Sequence, residues 1–255
     1  MSWIKQGLRF SGVANILKFN RPQYVAALFV ALAAAFFLGM VESRAWALVA
    51  GLILAGTVYL SIASLLASWW IYDLSGLYGF GWLERCMTLT PSHIVRIHAG
   101  FDEAGAALKS RFPESKHDSL DFYDPLRHRE ASIEKARLDR RKDPECRPVS
   151  TDTFGLQDES ADLIVLFLAA HEIRDAAERR IFFAEVERIL VKKGRVVLVE
   201  HLRDPANMLV FGPGFLHFWS ENEWRTCAAS AGLQSSLSFR ITPFVKVFVF
   251  GKVKI

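Results

Sequence analysis

Only three cysteines, Cys86, Cys146 and Cys227, occur in 255 residues, and they stand far apart in no paired motif. That spacing excludes a disulfide framework and a Cys-x-x-Cys metal or redox site, and it fits a reducing compartment with ordinary packing positions. No G-x-G-x-x-G run is present, which counts against a dinucleotide dehydrogenase. Internal repeats are absent too. Most telling, Asp, Glu, Lys and Arg are wholly missing from two stretches, 22–41 and 45–72. Helical hairpins buried in a globular core seldom carry uncharged runs this long.

At about 1.5 Å per residue both stretches are long enough to cross a hydrocarbon core of roughly 30 Å. Tyr24 lies near the start of the pair, and Trp69, Trp70 and Tyr72 lie at its end, where interfacial aromatics belong. A cleaved signal peptide fits poorly, because the first run exceeds an ordinary h-region and a second span follows at once. Residues 1–44 hold Lys5, Arg9, Lys18, Arg21 and Arg44 against Glu42, which accounts for the whole net charge of +4. Four of these cations precede the first span, so the positive-inside rule puts the N-terminus in the cytoplasm, and two spans return the chain to that side. The basic pI is thus no argument for nucleic-acid binding. Residues 3–19 mix apolar and basic positions in a way that suits either a surface-lying helix or a plain membrane-flanking segment. The expected partition is a basic segment 1–21, a transmembrane hairpin 22–72, a linker 73–91 and a soluble domain 92–255.

Within the soluble part, residues 161–204 read as buried strand, polar corner, amphipathic helix, Lys-Lys-Gly stop and second buried strand. The apolar run 163–168 suits a parallel strand covered on both faces. Asp175 with Glu178 forms a candidate capping box, and Ile181, Phe182, Val186, Ile189 and Leu190 recur with a helical period. Lys192, Lys193 and Gly194 suit a helix C-terminus with a left-handed stop. Residues 196–199 form the next strand, and such a strand–helix–strand unit is a right-handed crossover in a parallel sheet. His171-Glu172 and Glu200-His201 then fall at the carboxyl ends of neighbouring strands, where open α/β sheets bind ligands.

Upstream, His93–His98 forms a first strand that runs into the corner Ala99-Gly100 and a helix over 102–111. A second strand ends at 119–122, which sets Asp121 at its tip to accept hydrogen bonds from a ribose, while a third strand is expected over 147–151. The charge-rich tract 124–148 reads as a solvated helix and loop, with Arg140, Arg141 and Lys142 flanked by Asp139 and Asp143. Ser220 with Glu223 caps a late helix stopping at Gly232, and β-rich runs follow at 237–242 and 244–253 around Pro243.

The order of these pieces resembles the class I S-adenosylmethionine-dependent methyltransferases. It consists of the acidic strand tip LDFYD, the run Asp152-x-x-x-Leu156-x-Asp158-x-Ser160-x-Asp162, an apolar strand, a helix carrying F-x-x-E-x-x-R-I-L to Leu190, then Gly194 and a strand. The likeness covers roughly 92–255 and is nearest the ubiquinone and menaquinone methyltransferase branch. It implies an α/β, Rossmann-like, seven-stranded, mainly parallel sheet with a C-terminal antiparallel strand pair. It also implies S-adenosylmethionine as cofactor: His98, Ala99, Gly100 and Phe101 under its methionine part, Asp121 on the ribose, Phe122 beside the adenine, Asp152 with Thr153 near the adenine amino group, and Ala170 to Glu172 beside the sulfonium. His98 and Ala99 depart from the family's several glycines.

Methyl transfer is an in-line displacement, so the protein mainly positions the acceptor, with a base needed only for a protonated one. His171, Glu172, His201 and His217 are the candidates, with His171, Glu172 and His201 assigned to catalysis. His171 has as rival a structural role at the corner, and Glu172 a pairing with Arg174 or Arg203. No metal is assigned: His171-Glu172 lacks the second histidine of the zinc-protease pattern, and a set of His171, His201 and His217 is the only alternative weighed. Residues 211–219 form an apolar loop over the sheet edge, suited to a lid, a membrane-facing patch or plain packing. The expected protein is a membrane-anchored methyltransferase whose partners are the bilayer and a lipophilic small-molecule acceptor, with no nucleic acid. The rival is a non-catalytic membrane scaffold or cofactor sensor.

Overall fold

The computed structural model describes residues 11–129, 133, 137 and 145–253. Lys5, Arg9, the first part of the 3–19 surface segment, and Arg140, Arg141 and Lys142 lie outside the described residues.

Three helices open the described chain: α1 (Ser11–Phe19), α2 (Arg21–Met40, with Pro22 in its first turn) and α3 (Arg44–Trp69). Proline there needs no amide hydrogen and is preset for helical φ. α2 and α3 pack as a hairpin reversed at Val41–Ser43. Their outward faces are apolar, with Phe29, Phe36 and Leu52 among the exposed side chains, and both helices are long and apolar enough to cross a membrane.

The chain from Trp70 to Cys86 is not an extended connector. It forms a π-turn (Trp70–Leu74) and two 3-10 turns (Leu77–Gly79 and Gly81–Cys86). Ile71, Leu77, Phe80 and Leu83 are buried against the sheet, each contributing about 1.5–3 kcal/mol. Asp73 reaches back to α1 and accepts from the amides of Gly12 at 2.7 Å and Val13 at 3.0 Å. A carboxylate on those otherwise unpaired amides caps α1 and ties it to the end of α3.

The sheet comprises β1 (His93–His98), β2 (Lys116–Asp121), β3 (Cys146–Pro148), β4 (Ala161–Phe167), β5 (Leu190–His201), β6 (Leu233–Thr242) and β7 (Val245–Lys252). Its spatial order is β3-β2-β1-β4-β5-β7-β6, with β7 antiparallel to both neighbours and the pairs from β3 to β5 parallel. The expected seven-stranded, mainly parallel sheet with its late antiparallel pair is thus observed. Side chains alternate between two cores. Val95, Ile97, Ile164, Leu166, Val196 and Leu198 meet Phe182, Phe183 and Val186 of α5 (Ala176–Ile189) and Trp224 of α7 (Glu221–Ser230). Ile94, Leu163, Val165, Val197 and Val199 meet Leu108 of α4 (Gly105–Arg111) and the 70–86 layer. A further helix, α6 (Pro205–Phe211), follows β5 and packs against α3.

Both proposed N-caps form, Asp175 accepting from Glu178 N at 2.8 Å and Ser220 from Glu223 N at 3.2 Å. Neither box closes in the reverse sense: Glu178 accepts from Thr151 instead, and Glu223 pairs with Arg179. Gly194 corrects the reading of 190–194. α5 ends at Ile189 with an extended Leu190 cap, and Lys192, Lys193 and Gly194 already belong to β5. Glycine is needed there for closeness rather than for handedness, since a Cβ would stand 2.7 Å from Leu190 Cδ1 and 3.0 Å from the Asp162 carbonyl. The third strand also sits earlier than expected and spans only Cys146–Pro148.

Gly194→Ala is expected to destabilise the fold by about 1–3 kcal/mol through overpacking. The check is the thermal midpoint of the full chain in detergent, and an unchanged midpoint would contradict the close approach.

Candidate active site

The register of β1 on β2 pairs His98 with Asp121, which sets the Gly100 corner beside the acid at the next strand tip. Gly100 takes φ +92°, a conformation that favours glycine. His98 does not project from this corner. Its Nδ1 accepts from Gly100 N at 3.0 Å and its Nε2 meets Ser119 Oγ at 3.0 Å, leaving the residue buried. Ser119 in turn donates to Asp102, which also accepts from buried Arg96 at 2.7 Å. Burial works against the Asp102 carboxylate, yet Arg96, His98 and these bonds hold its pKa below the ordinary value. A polar girdle therefore fixes the turn from below.

Asp121 is buried and accepts from Tyr123 N at 3.1 Å. Arg137 lies directly on it, with Nη1 at 2.8 Å from Oδ2 and 3.1 Å from Oδ1. The same guanidinium stacks 4.1 Å from the Tyr123 ring centre and covers the face of Gly100, where a Cβ would meet it. Phe122 points into the core against Phe182 and His128. Asp152 and Thr153 are exposed, and a hydrogen bond from Ser150 holds the Asp152 carboxyl below its usual pKa. Phe101 is half-buried, and Ala99 and Ala170 are buried at the sheet edge.

At the other end, His171 occupies a 3-10 turn (Ala170–Glu172) after β4. Its Nδ1 bonds Glu200 Oε2 at 2.7 Å and its Nε2 faces Glu172 Oε1 at 3.5 Å. Burial alone would depress its pKa, but the two carboxylates outweigh that and raise it to about 10. His171 therefore carries its proton at neutral pH and is no general base there. Glu172 pairs with His171, while Arg174 donates to the carbonyls of His171 and His217 and Arg203 to those of Leu216 and Phe218; the Arg174 charge also helps to hold the Glu172 carboxyl below its ordinary pKa.

His201 sits apart from this pair. Its Nδ1 donates to the Phe244 carbonyl at 3.0 Å, its Nε2 receives Tyr72 Oη at 3.0 Å, and its ring stacks on Phe218. Burial and the neighbouring His171 charge push its pKa down to about 4, and His217 is lowered likewise to about 4. Glu103 lies between the two ends, where burial pushes its carboxyl up to about 7 against a hydrogen bond from Tyr78. A value near neutrality suits a general base. Glu103, Arg137, Tyr72 and Tyr78 were missed in sequence. An acid three residues past the glycine corner was the one available signal, because Tyr72 reads as an interfacial aromatic, Tyr78 as part of a linker and Arg137 as part of a solvated tract.

Because the unfolded chain releases the His171 proton near 6.5 and the folded chain near 10, that pair stabilises the fold fully below pH 6.5 and less as pH rises. The thermal midpoint in chelator-containing buffer should fall between pH 6.5 and 9, and Glu200→Gln should flatten that slope. Equal slopes in the two proteins would count against the pair.

Comparison with known proteins agrees with this architecture. Residues 126–198 match a family described as "Methyltransferase domain". No curated protein matches the chain in sequence. Among solved structures, a SAM-dependent methyltransferase from Aquifex aeolicus superposes with TM-score 0.52 at 14% identity, covering 75% of this chain and 97% of its own. The PH0226 protein from Pyrococcus horikoshii OT3 gives TM-score 0.53 at 12% identity, covering 71% of this chain and 91% of its own. The mitomycin 7-O-methyltransferase MmcR gives TM-score 0.51 at 18% identity, covering 97% of this chain and 74% of its own. At such identities the superpositions show the fold, and the sequence match lies inside it. Residues 126–198 thus match a methyltransferase domain within a sheet of the methyltransferase fold, which supports methyl transfer as the activity and S-adenosylmethionine as the cofactor.

Proposed function

We propose that the protein is a membrane-anchored methyltransferase, of the kind nearest the quinone methyltransferases, that modifies a lipophilic acceptor from the cytoplasmic face of a bilayer. One observation carries this reading: α3 runs without a break into the turn bearing Tyr72, whose hydroxyl bonds His201 at the sheet's carboxyl edge. The apolar hairpin and the candidate site therefore form one packed unit. α6 and the following turn lie along α3, where Gly212 approaches Leu60, and Met208, Leu209 and Leu216 are exposed on that side. An acceptor dissolved in the bilayer would meet the site without crossing water. The basic N-terminal charge supports the same orientation.

The residues present fit the cofactor once Arg137 turns aside. Gly100 lets a ligand approach the backbone, Asp121 offers a buried carboxylate to ribose hydroxyls, and Asp152 and Thr153 stand at the rim for the base. When bound, S-adenosylmethionine supplies an electrophilic methyl group. Glu103 is the side chain tuned to take a proton from the acceptor, while His171 and Glu172 form a charged floor beneath it and His201 a neutral wall.

The Arg137–Asp121 pair favours a second reading, a cofactor sensor or scaffold in which the arginine keeps the site closed. Calorimetry with S-adenosylmethionine on the full chain separates the two. Asp121→Ala should weaken binding more than tenfold and Arg137→Ala should tighten it about tenfold, the scale of one charge-assisted pair. Binding by Arg137→Ala but not by the wild type would support the closed site, and no binding by either folded protein would sink the enzyme reading. For the enzyme, radiolabelled methyl from the cofactor should enter the organic-solvent extract of membranes carrying the wild-type protein and not of those carrying Asp121→Ala. Label confined to the aqueous phase would overturn the lipophilic acceptor.

A further inference from the structure

The side chains of His171, Glu172 and His217 converge outside the cofactor corner, and their nitrogen and oxygen donors all lie within 4.8 Å of one another. His171 Nε2 and Glu172 Oε1 are already 3.5 Å apart. Ligands about 2.0–2.2 Å from one tetrahedral ion stand roughly 3.3–3.6 Å from each other, so two donors hold the required spacing and a small rotation of His217 supplies the third. We propose that these three residues form a binding site for a divalent transition-metal ion of the zinc type.

Four features of the surroundings support this. Glu172 is buried, and its second oxygen, Oε2, has no hydrogen-bond partner among the described residues. A buried carboxylate oxygen left unpaired is costly, and a cation removes that cost. His171 is held from behind: fully buried Glu200 takes its Nδ1 at 2.7 Å and its backbone amide at 3.2 Å, which turns Nε2 outward. Carboxylate–histidine pairs of this form orient metal-bound imidazoles and raise their basicity. The two histidines, far apart in sequence, are pinned by one guanidinium, Arg174 Nη1 donating to the His171 carbonyl at 3.2 Å and the His217 carbonyl at 2.6 Å. Trp219 Nε1 adds a second hold on the His171 carbonyl and lies under Arg174. Finally, neither histidine is fully covered, so an ion has a way in.

The donor set decides the class of ion. Two imidazoles and one carboxylate suit zinc and its first-row neighbours, whereas calcium and magnesium ask for more oxygen ligands than this site offers. Three protein ligands leave a position open, as in catalytic rather than structural zinc sites. On binding, the ion takes the place of the proton between His171 Nε2 and Glu172, and that proton goes to solvent. The Arg174 charge opposes the cation, but two carboxylates, Glu172 and Glu200, face it. His201 is outside the set, since both its ring nitrogens are engaged by Tyr72 and Phe244. None of this requires methyl transfer to occur.

The test uses the full chain in detergent, stripped with chelator and titrated with zinc alone against a chromophoric competitor. The wild type should bind one equivalent and gain thermal stability as it does so. His217→Ala and Glu172→Gln should each weaken binding at least tenfold, and Glu200→Gln about 10- to 100-fold by loosening His171. Zinc-edge X-ray absorption of the loaded wild type needs no variant and should show imidazole scattering from two ligands. Absence of stoichiometric binding, sulfur ligation, or unchanged affinity in His217→Ala with circular dichroism like the wild type would each overturn the site.

Discussion

The pairing of β4 with β5 is the constraint on which the other elements depend. Both strands are covered on both faces, so their side chains alternate between two apolar layers and a slip of one residue would exchange the two cores. That register brings Phe167 opposite Val199 and leaves Ala170–Glu172 above Glu200. A fully buried carboxylate is tolerable only with a donor in place, and the His171 ring and amide provide it. The apolar pairing thus decides where a charged pair forms, and the charged pair fixes the turn that overhangs the sheet edge.

The hairpin is coupled to the same edge rather than merely tethered to it. Residues 70–86, which continue directly from α3, cover the second face of the sheet, so displacing that layer would uncover Val165, Phe167 and Val199 and part Tyr72 from His201. Asp73 extends the coupling to α1 through its amides. A helical hairpin whose continuation supplies this much of the core is part of the fold.

Elements governed by local rules were legible in the sequence. His93–His98, the caps at Asp175 and Ser220 and the left-handed Gly232 each follow from residues within a turn of one another. Gly194 misled because Lys-Lys-Gly imitates a helix stop, while the actual reason for glycine is the Asp162 carbonyl, more than thirty positions away. The 70–86 layer read as a linker because its buried residues sit on π and 3-10 turns and share no single period. Among site residues, His98 stands in the sequence where the resembled family has glycine, and its bonds to Ser119 and to the Gly100 amide show how the ring is folded beneath the corner. The resemblance motif itself is architectural in good part. Glu185 accepts from Phe154 N and pairs with Arg188, and Asp162 takes the amides of Ser92 and His93, so these residues fasten the 152–162 loop and the start of β1.

The two ends of the site differ in how they balance charge, and that difference assigns their work. At the cofactor corner each acid has a cation: Asp102 has Arg96, and Asp121 has Arg137. Arg96 is buried and holds a turn, whereas Arg137 is partly exposed and rests on a glycine, so only the second can be exchanged for a ligand at modest cost. At the β4–β5 end two carboxylates, Glu172 and Glu200, flank the imidazolium of His171, and Arg174 donates to the carbonyls of His171 and His217 close by. A cation on His171, Glu172 and His217, as proposed above, would lie against the Glu172 oxygen that has no partner among the described residues, whereas a ligand at the corner would take the place of Arg137 on Asp121.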